Sequence, residues 1–310
     1  MAKIDLPTRI PTSYRLIASL STFDYYKKDK LFSKNDKPSF NSKDERFVKL
    51  MVALPFLANK RAEISIGYGK LQDNYFQSSV INFDKDCSDR STYNLLGGAI
   101  GFYGSTLNAR QYATKGYFEK LVAQVFSGKE KFIPGNPTET SVMTKERQSW
   151  LQISYMKYAY HTMSPKFTLG WMAEMLYSSK NFSENYTATM LQAADFSPTP
   201  HSKLMYNEAF RANQFLAAGI KPIFVFNDMF QFRSEFYGFV PIFPIKKNAL
   251  NKAYYGKAFS RFEYIGEISV ICQLPFGAIS AYVNHYSSPK KEWNVGLTLG
   301  WQLFNYRFIE

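Results

Sequence analysis

The chain has 310 residues, enough for one large β domain or for two domains of ordinary size. Aromatic residues make up 17% of it, yet the mean hydropathy is only −0.29, because lysines and other polar residues offset the apolar ones. No run of about 18 apolar residues occurs, which excludes a transmembrane helix in the sequence. The same composition suits a wall of β-strands with an apolar outside and a wet inside.

The net charge is +13, and the lysines cluster in polar gaps between apolar segments. We interpret these clusters as solvated loops with a weak attraction to anionic lipid phosphates. No basic run follows the spacing of a nucleic-acid backbone, so no nucleic-acid partner is expected. Cys87 lies in a polar gap and Cys272 in an apolar alternation, which favours two free thiols over a disulfide. The first residues do not form a signal peptide pattern.

About twelve segments alternate apolar and polar residues with the period of two that is typical of a strand between unlike media. In chain order they are residues 14–26, 47–57, 62–69, 93–103, 117–126, 150–160, 167–177, two segments within 207–244, and 262–274, 279–286 and 293–304. In the second segment of 207–244 the apolar face holds Phe230, Phe232, Phe236 and Val240, and the polar face holds Gln231, Arg233, Glu235 and Tyr237.

The gaps between these segments largely alternate between long and short, which is typical of membrane barrels with short turns at one end and long loops at the other. We therefore predict an all-β, antiparallel, up-and-down transmembrane barrel that occupies residues 1–310 as a single domain. A soluble β-sandwich is the alternative, but Greek-key crossings are not expected to keep this rhythm. Tyrosines at segment ends are interpreted as an outer girdle at the membrane interface; they are Tyr25, Tyr26, Tyr103, Tyr160, Tyr177 and Tyr286.

Catalytic and metal-binding patterns are not visible in the sequence. The three histidines, His161, His201 and His285, have no partner at metal-ligand spacing, and no Gly-x-Ser-x-Gly elbow occurs. We expect no cofactor, no metal and no catalytic residue in this chain, and hence no enzyme activity of its own.

Arg211 and Glu235 form the one polar pair that we single out. Arg211 closes the longest gap, and Glu235 lies on the charged face of the second strand after it. If the long loop folds back into the lumen, the two side chains form a charge-assisted pair that holds the loop there. The alternative is that both are separately solvated in a wet lumen.

Several stretches resemble the bacterial surface antigen superfamily, which includes outer-membrane assembly factors and two-partner secretion transporters. Residues 210–215 resemble its Val-Arg-Gly-Tyr/Phe loop motif, with Arg211 on the motif arginine and Ala212 in place of the usual glycine. The resemblance implies that Glu235 is the acidic lumen partner of Arg211. Residues 274–279 resemble its Pro-x-Gly turn and residues 108–116 its strand entry. The end of the chain resembles the terminal strand signal read by the assembly machinery, with Gly296, Leu299, Trp301 and Phe304 as its key residues.

Within that superfamily the chain is most similar to the C-terminal barrel of patatin-like phospholipases, through residues 185–193, 196–198, 208–212 and 304–307. This resemblance implies a barrel of sixteen strands in the bacterial outer membrane, with Met1 near the end of the fourth strand. A hydrolase domain, a periplasmic repeat and four strands would then be missing before Met1. The implied partners are outer-membrane lipid, including lipopolysaccharide, and the assembly machinery. The barrel of an assembly factor or two-partner transporter is the alternative.

Overall fold

The structure, a computed structural model, describes residues 2–6, 12–25, 41–76, 87–135, 143–200, 202–275, 277–288, 293–300 and 307–309. Seventeen strands occur in these ranges. They are β1 (Ala2–Leu6), β2 (Ser13–Tyr25), β3 (Asn41–Leu57), β4 (Lys60–Tyr75), β5 (Asp89–Ser105), β6 (Gly116–Ile133), β7 (Thr144–Ser164), β8 (Phe167–Ser178), β9 (Ala194–Asp195), β10 (Arg211–Ala212), β11 (Gln214–Val225), β12 (Phe230–Pro241), β13 (Ile245–Lys247), β14 (Ala253–Tyr255), β15 (Glu263–Leu274), β16 (Gly277–Tyr286) and β17 (Trp293–Gly300).

Thirteen of these strands form one antiparallel sheet, in which each pairs with its neighbours along the chain. The four short strands form two separate ladders, β9 with β10 and β13 with β14. One α-helix, α1 (Tyr186–Gln192), and two 3-10 helices, Ser202–Leu204 and Glu208–Phe210, lie between β8 and β11. Among the helices of the described ranges, none has the length and apolar character needed to cross a membrane.

The up-and-down order confirms the predicted fold class, and each of the twelve predicted segments falls on a strand of the large sheet. Residues 26 and 301–304 of these segments lie outside the described residues. β1 is an additional, thirteenth strand. Since the pairing is antiparallel, alternate connections fall at the same end, and the short ones at 58–59, 165–166 and 226–229 share one end. The turn before β12 spans residues 226–229, and the Asn227 side chain closes it by accepting from the backbone N–H groups of Met229 and Phe230.

Burial in the large sheet is inverted relative to a soluble protein. The apolar face of β4, with Ile64, Ile66 and Tyr68, is more than half exposed, whereas Glu63 and Ser65 on the opposite face are buried. β12 repeats the pattern, because Phe236 is exposed while Arg233 and Glu235 are buried. An exposed apolar face with a polar face behind it is stable only where lipid replaces water outside. This arrangement confirms the apolar and polar faces predicted for the segment that forms β12, and it does not fit the soluble sandwich, which would need two packed sheets.

The predicted outer girdle of tyrosines is wrong at three of its positions. Tyr103, Tyr160 and Tyr286 point into the lumen, because each has the same parity along its strand as buried inward residues. Tyr177, which is 43% exposed, faces outward as predicted. Tyr26 lies outside the described residues, and for Tyr25 only the backbone is described.

Depth in the lipid, and not exposure alone, should set the cost of a charge on the outer face. Ile66 lies near the middle of β4 and is 56% exposed, and Leu57 ends β3 beside a turn and is 57% exposed. We expect Ile66→Lys to lower the free energy of unfolding by about 2–4 kcal/mol and Leu57→Lys by about 0–1 kcal/mol. Urea unfolding in lipid vesicles measures both free energies. Equal losses in the two variants would contradict an outer face that is embedded in lipid at the level of Ile66.

Candidate functional site in the lumen

Three segments of the chain enter the space enclosed by the curled sheet. The inward loop, residues 179–213, connects β8 to β11; the strap, residues 106–115, connects β5 to β6; and the tail is residues 307–309. The rings of Phe196 and Phe210 in the inward loop each lie 5.7 Å from the ring of Phe239 on β12. The predicted inward fold of the longest loop is therefore present, and the lumen is the candidate functional site.

The inward loop crosses the lumen and contacts opposite parts of the wall. Its helix α1 begins at Asn185, whose side chain oxygen accepts from the N–H of Ala188 at 2.8 Å, as an N-cap residue does. The other end of the same amide donates to the Tyr75 hydroxyl of β4 at 2.8 Å. Phe196, farther along the loop, packs against Phe215 and Phe239 of β11 and β12. One side chain thus both starts the helix and joins it to the wall.

Arg211 closes the far end of this loop onto the helix. Its Nη1 donates to the carbonyl oxygens of Met190, Leu191 and Ala193 at 3.3, 3.2 and 3.0 Å. The last carbonyls of a helix have no partner within the helix and carry its negative dipole end, so a guanidinium there satisfies them and offsets the charge. The ring of Tyr206 lies 4.8 Å from the guanidinium carbon. Arg211 is therefore the clasp of the inward loop.

The structure does not bring Arg211 and Glu235 together as the predicted pair. Glu235 accepts from Nε of Arg233 at 2.8 Å and from the Tyr237 hydroxyl at 2.5 Å. These three residues are successive inward positions of β12, so partners two residues apart reach Glu235 without crossing the lumen. Both side chains are buried and face the lumen, but their partners differ from the predicted ones. Arg211 donates to carbonyl oxygens at the end of α1 and not to Glu235.

Ala212, the departure from the family motif, fits its place without strain. It is fully buried and pairs with Ala194 in the small β9–β10 ladder. The non-glycine residues with positive φ in the described ranges are Tyr112, Asn251 and Phe259, so Ala212 has no need of the conformations that only glycine takes readily. An alanine therefore serves in the extended backbone that this loop adopts.

Asp195 links the inward loop to the tail. Its Oδ1 lies 3.1 Å from Nη1 of Arg307. Burial by itself would raise the pKa of this carboxyl, but the nearby guanidinium groups of Arg211 and Arg307 outweigh that cost and hold its pKa below the usual value. Asp195 therefore stays ionised and ties the two segments by charge.

Lys180, at the start of the inward loop, is a buried cation in an aromatic setting. Its Nζ lies 4.5 Å from the ring centre of Tyr93 and 4.8 Å from that of Trp150, and it donates to Gln192 at 3.2 Å. Burial lowers the pKa of Lys180 to about 8, against the attraction of Glu130, which raises it.

The strap crosses the end of the barrel where the short turns lie. The Asn108 side chain oxygen accepts from the N–H groups of Thr114 and Lys115, each at 3.0 Å, which closes the strap into a compact loop. Tyr112 at its tip has a φ of 56°, the left-handed region that non-glycine residues rarely adopt. Asn108 opens the stretch 108–116 noted in the sequence, and the last residue of that stretch, Gly116, begins β6.

Four hydrogen bonds fasten the strap to the opposite wall. The Tyr112 hydroxyl donates to Ser280 of β16 at 2.8 Å, and its carbonyl accepts from Gln231 of β12 at 3.2 Å. Gln273 of β15 donates to the carbonyl of Gln111 at 3.0 Å, and Arg233 of β12 donates to that of Ala113 at 3.1 Å. Strands far apart along the sheet are therefore joined directly across the barrel mouth.

The tail places one aromatic ring against the lumen wall. Phe308 is buried, and its ring lies 5.6 Å from that of Phe47 and 5.7 Å from that of Phe126. A Cβ at Gly69 or Gly97 would come within 3.0 or 3.2 Å of this ring. The glycines thus form the floor of a pocket that a ring fills.

Two of the four predicted terminal-signal residues can be placed. Gly296 of β17 pairs with Tyr282, whose ring occupies the space that a Cβ at Gly296 would need. Leu299 faces outward and is 75% exposed. Trp301 and Phe304 lie outside the described residues.

A cavity of about 1040 Å³ remains between the inward loop, the strap, the tail and the wall. It is lined by charged residues of all these parts, including Arg110, Asp195, Arg211, Lys221 and Arg307. Cys87 and Cys272 are free thiols, as predicted.

Comparison with solved structures tests the fold independently. BamA from Haemophilus ducreyi, lacking POTRA domains 1–3, superposes with a TM-score of 0.56 at 11% identity, over 93% of this chain and 58% of that chain. The translocator domain of the autotransporter NalP from Neisseria meningitidis matches over 91% of this chain at 10% identity, but its TM-score of 0.34 is too low to support an argument. No protein-family model matches the sequence, and no curated protein does.

This chain has the fold of a bacterial outer-membrane β-barrel. The likeness to BamA and the inverted burial of the wall agree on this point. The predicted localisation, the bacterial outer membrane, is thereby confirmed. The chain spans little more than half of the BamA chain, so the likeness concerns the barrel fold alone.

Sequence reasoning missed the strap, the tail pocket and the Arg233–Glu235 contact. The last had a signal, because Arg233 and Glu235 stand two residues apart on one predicted polar face. The strap and the tail have no periodic pattern, and their partners lie more than a hundred residues away in the sequence. The resemblances at 108–116 and 304–307 therefore did not reveal these contacts.

Removing the clasp should loosen the inward loop. We expect Arg211→Ala to leave the helix carbonyls without a donor, at a cost of about 1–3 kcal/mol. Limited proteolysis and hydrogen exchange within residues 179–213 should both become faster.

Arg110→Ala is the matched control, because Arg110 also lines the cavity, but it is exposed and makes no hydrogen bond or ion pair with any described residue. It should leave both rates unchanged. Equal acceleration in the two variants would show that charge, and not the carbonyl contacts, holds the loop.

Lys180 should give the stability of the barrel a specific pH dependence. Because its folded pKa, about 8, lies below the ordinary value of 10.5, the unfolded chain binds more protons between these values and stability rises with pH there. Relative to the Lys180→Met variant, the free energy of unfolding of the parent should therefore rise by about 2 kcal/mol between pH 8 and pH 10. Parallel urea titrations measure it, and a constant difference would contradict the lowered pKa.

Proposed function

We propose that this chain is the membrane-anchoring barrel of a larger outer-membrane protein that resembles the patatin-like phospholipases, and that the barrel itself contributes no catalytic residue. The inward loop clasped by Arg211 is the observation that carries the proposal. It occupies the lumen and packs on both β4 and β12. A lumen filled in this way suits an anchor better than an open passage.

The motif residues support the choice of family. The stretch 185–193 that resembles the patatin-like barrels forms the N-cap and helix α1, and residues 208–212 supply the clasp. Three of the four resembling stretches, residues 185–193, 196–198 and 208–212, thus belong to the inward loop that occupies the lumen. On this proposal the hydrolase domain, the periplasmic repeat and four further strands precede the present chain, in a barrel of sixteen strands.

The outer face and the terminal strand suggest the partners. Apolar residues such as Ile64 and Phe236 would contact lipid, and the basic loops would meet the phosphates of lipopolysaccharide. The terminal strand, with Gly296 and Leu299, would be bound by the assembly machinery during insertion. The apolar face of β17 is well exposed, at 70–79% for Trp293, Val295, Leu297 and Leu299.

An outer-membrane assembly or secretion barrel is the second candidate. It is favoured by the TM-score of 0.56 with BamA. It is also favoured by the position of β1 and β17, which are the two edges of the sheet over the described residues. In this case the edges and the inward loop would be the working parts.

Phospholipid hydrolysis by native outer membranes separates the two candidates. If the barrel anchors a serine lipid hydrolase, membranes from cells carrying the gene should release fatty acid from labelled phospholipid. A fluorophosphonate probe should label a polypeptide that antibodies against this barrel recognise. Both signals should vanish on gene deletion and return on complementation.

The opposite outcome has its own signature. Depletion that leaves phospholipid hydrolysis unchanged, but causes unfolded outer-membrane proteins to accumulate, would reject the phospholipase anchor in favour of the assembly barrel. Depletion of an unrelated outer-membrane barrel is the control for general envelope stress.

A further inference from the structure

Lys221 is a buried ammonium group to which the described part of the chain offers no acceptor. It lies on the inward face of β11, is 7% exposed and lines the cavity. Its Nζ lies 5.4 Å from the ring centres of both Tyr158 and Tyr237 and 6.0 Å from that of Tyr160. Among the residues that the structure describes, none accepts a hydrogen bond from this Nζ or forms an ion pair with it. Ring faces attract a cation but leave its three N–H donors unused.

The cavity around Lys221 has an excess of positive charge. Of the residues that the structure describes, eight basic and four acidic ones line it. Three of the acids already have lining cations as partners: Glu235 has Arg233 at 2.8 Å, Asp195 has Arg307 at 3.1 Å, and Glu45 has Lys43 at 3.3 Å. Glu174 is the single lining carboxylate left against five further basic residues. Cations gathered away from bulk water raise the local affinity for anions.

The cavity also offers apolar surface beside Lys221. Phe118 stacks on Tyr158 with ring centres 5.1 Å apart, and Met156 and Met172 line the same space. Aromatic and thioether groups around one convergent charge are the usual make-up of a site for a small organic ligand. The volume of about 1040 Å³ is at the upper end of the range of such sites.

We propose that the lumen cavity binds a small organic anion whose carboxylate or phosphate oxygens accept hydrogen bonds from Lys221. The charge-assisted bond would supply the acceptor that the described residues do not offer to this ammonium group. The apolar part of the ligand packs on Phe118, Met156 and Met172. This site is independent of any hydrolase domain and of the function proposed above.

Calorimetric titration of the purified barrel in a neutral sugar detergent tests the site. Inorganic phosphate probes the charged head alone, and hexanoate probes a carboxylate that carries an apolar chain. We expect saturable binding of at least one probe. Lys221→Met, which keeps the side chain's length but not its charge, should weaken that binding about tenfold or more, the order of one charge-assisted hydrogen bond.

Two further variants keep the result interpretable. Lys221→Arg retains the cation and should bind within a few-fold of the parent, and Lys246→Met removes an exposed lysine that does not line the cavity and should have no effect. The heat-dependent gel shift of each variant checks that the barrel is folded. Saturation by hexanoate alone assigns the head as a carboxylate on an apolar chain, and saturation by phosphate alone assigns it as a phosphate.

Absence of saturable binding of both probes by the folded parent would overturn the proposal. Binding that Lys221→Met leaves unchanged would also overturn it, because the anion would then sit elsewhere. Partition of hexanoate into detergent is equal in parent and variant, so the difference between them reports the lumen site.

Discussion

A bilayer offers no hydrogen bonds, so every backbone N–H and C=O group of a spanning wall must find its partner in the next strand. The antiparallel pairing of consecutive strands meets this demand and also sorts the side chains, because alternate residues must face opposite sides. Ile64 and Ile66 then meet lipid, and Glu63 and Ser65 meet the lumen. All later features of the molecule follow from this sorting, since the charges that lipid rejects collect inside.

Charged side chains that face the lumen need partners there, and the inward loop, the strap and the tail supply them. The inward loop brings Asp195 and Arg211, the tail brings Arg307, and the strap brings backbone carbonyls for Arg233. Buried charges are tolerated where they are paired or hydrogen-bonded, and most of these are. Lys221, boxed by tyrosine rings, is the exception that points toward a ligand.

The wall could be predicted from the sequence, whereas the contents of the lumen could not. A period of two gives both the strand and its face, so twelve segments and their outward residues were within reach of pattern analysis. The same parity rule would have turned Tyr103 inward, had it been applied beyond Gly101 to the strand's end. The partners of side chains inside the lumen do not follow from such a period. Arg211 has both carboxylates and helix carbonyls within its reach, and only the folded loop decides between them.

The strap has a mechanical consequence. A curled sheet held only by pairs of neighbouring strands can flatten, because each pair can act as a hinge. The strap joins Tyr112 and Ala113 to Ser280 of β16 and Arg233 of β12, so the strands between them cannot flatten without stretching hydrogen bonds across the mouth. These hydrogen bonds restrict motion of the strands at the end that carries the short turns. Changes in the shape of the sheet should therefore be larger at the opposite end, where the long loops lie.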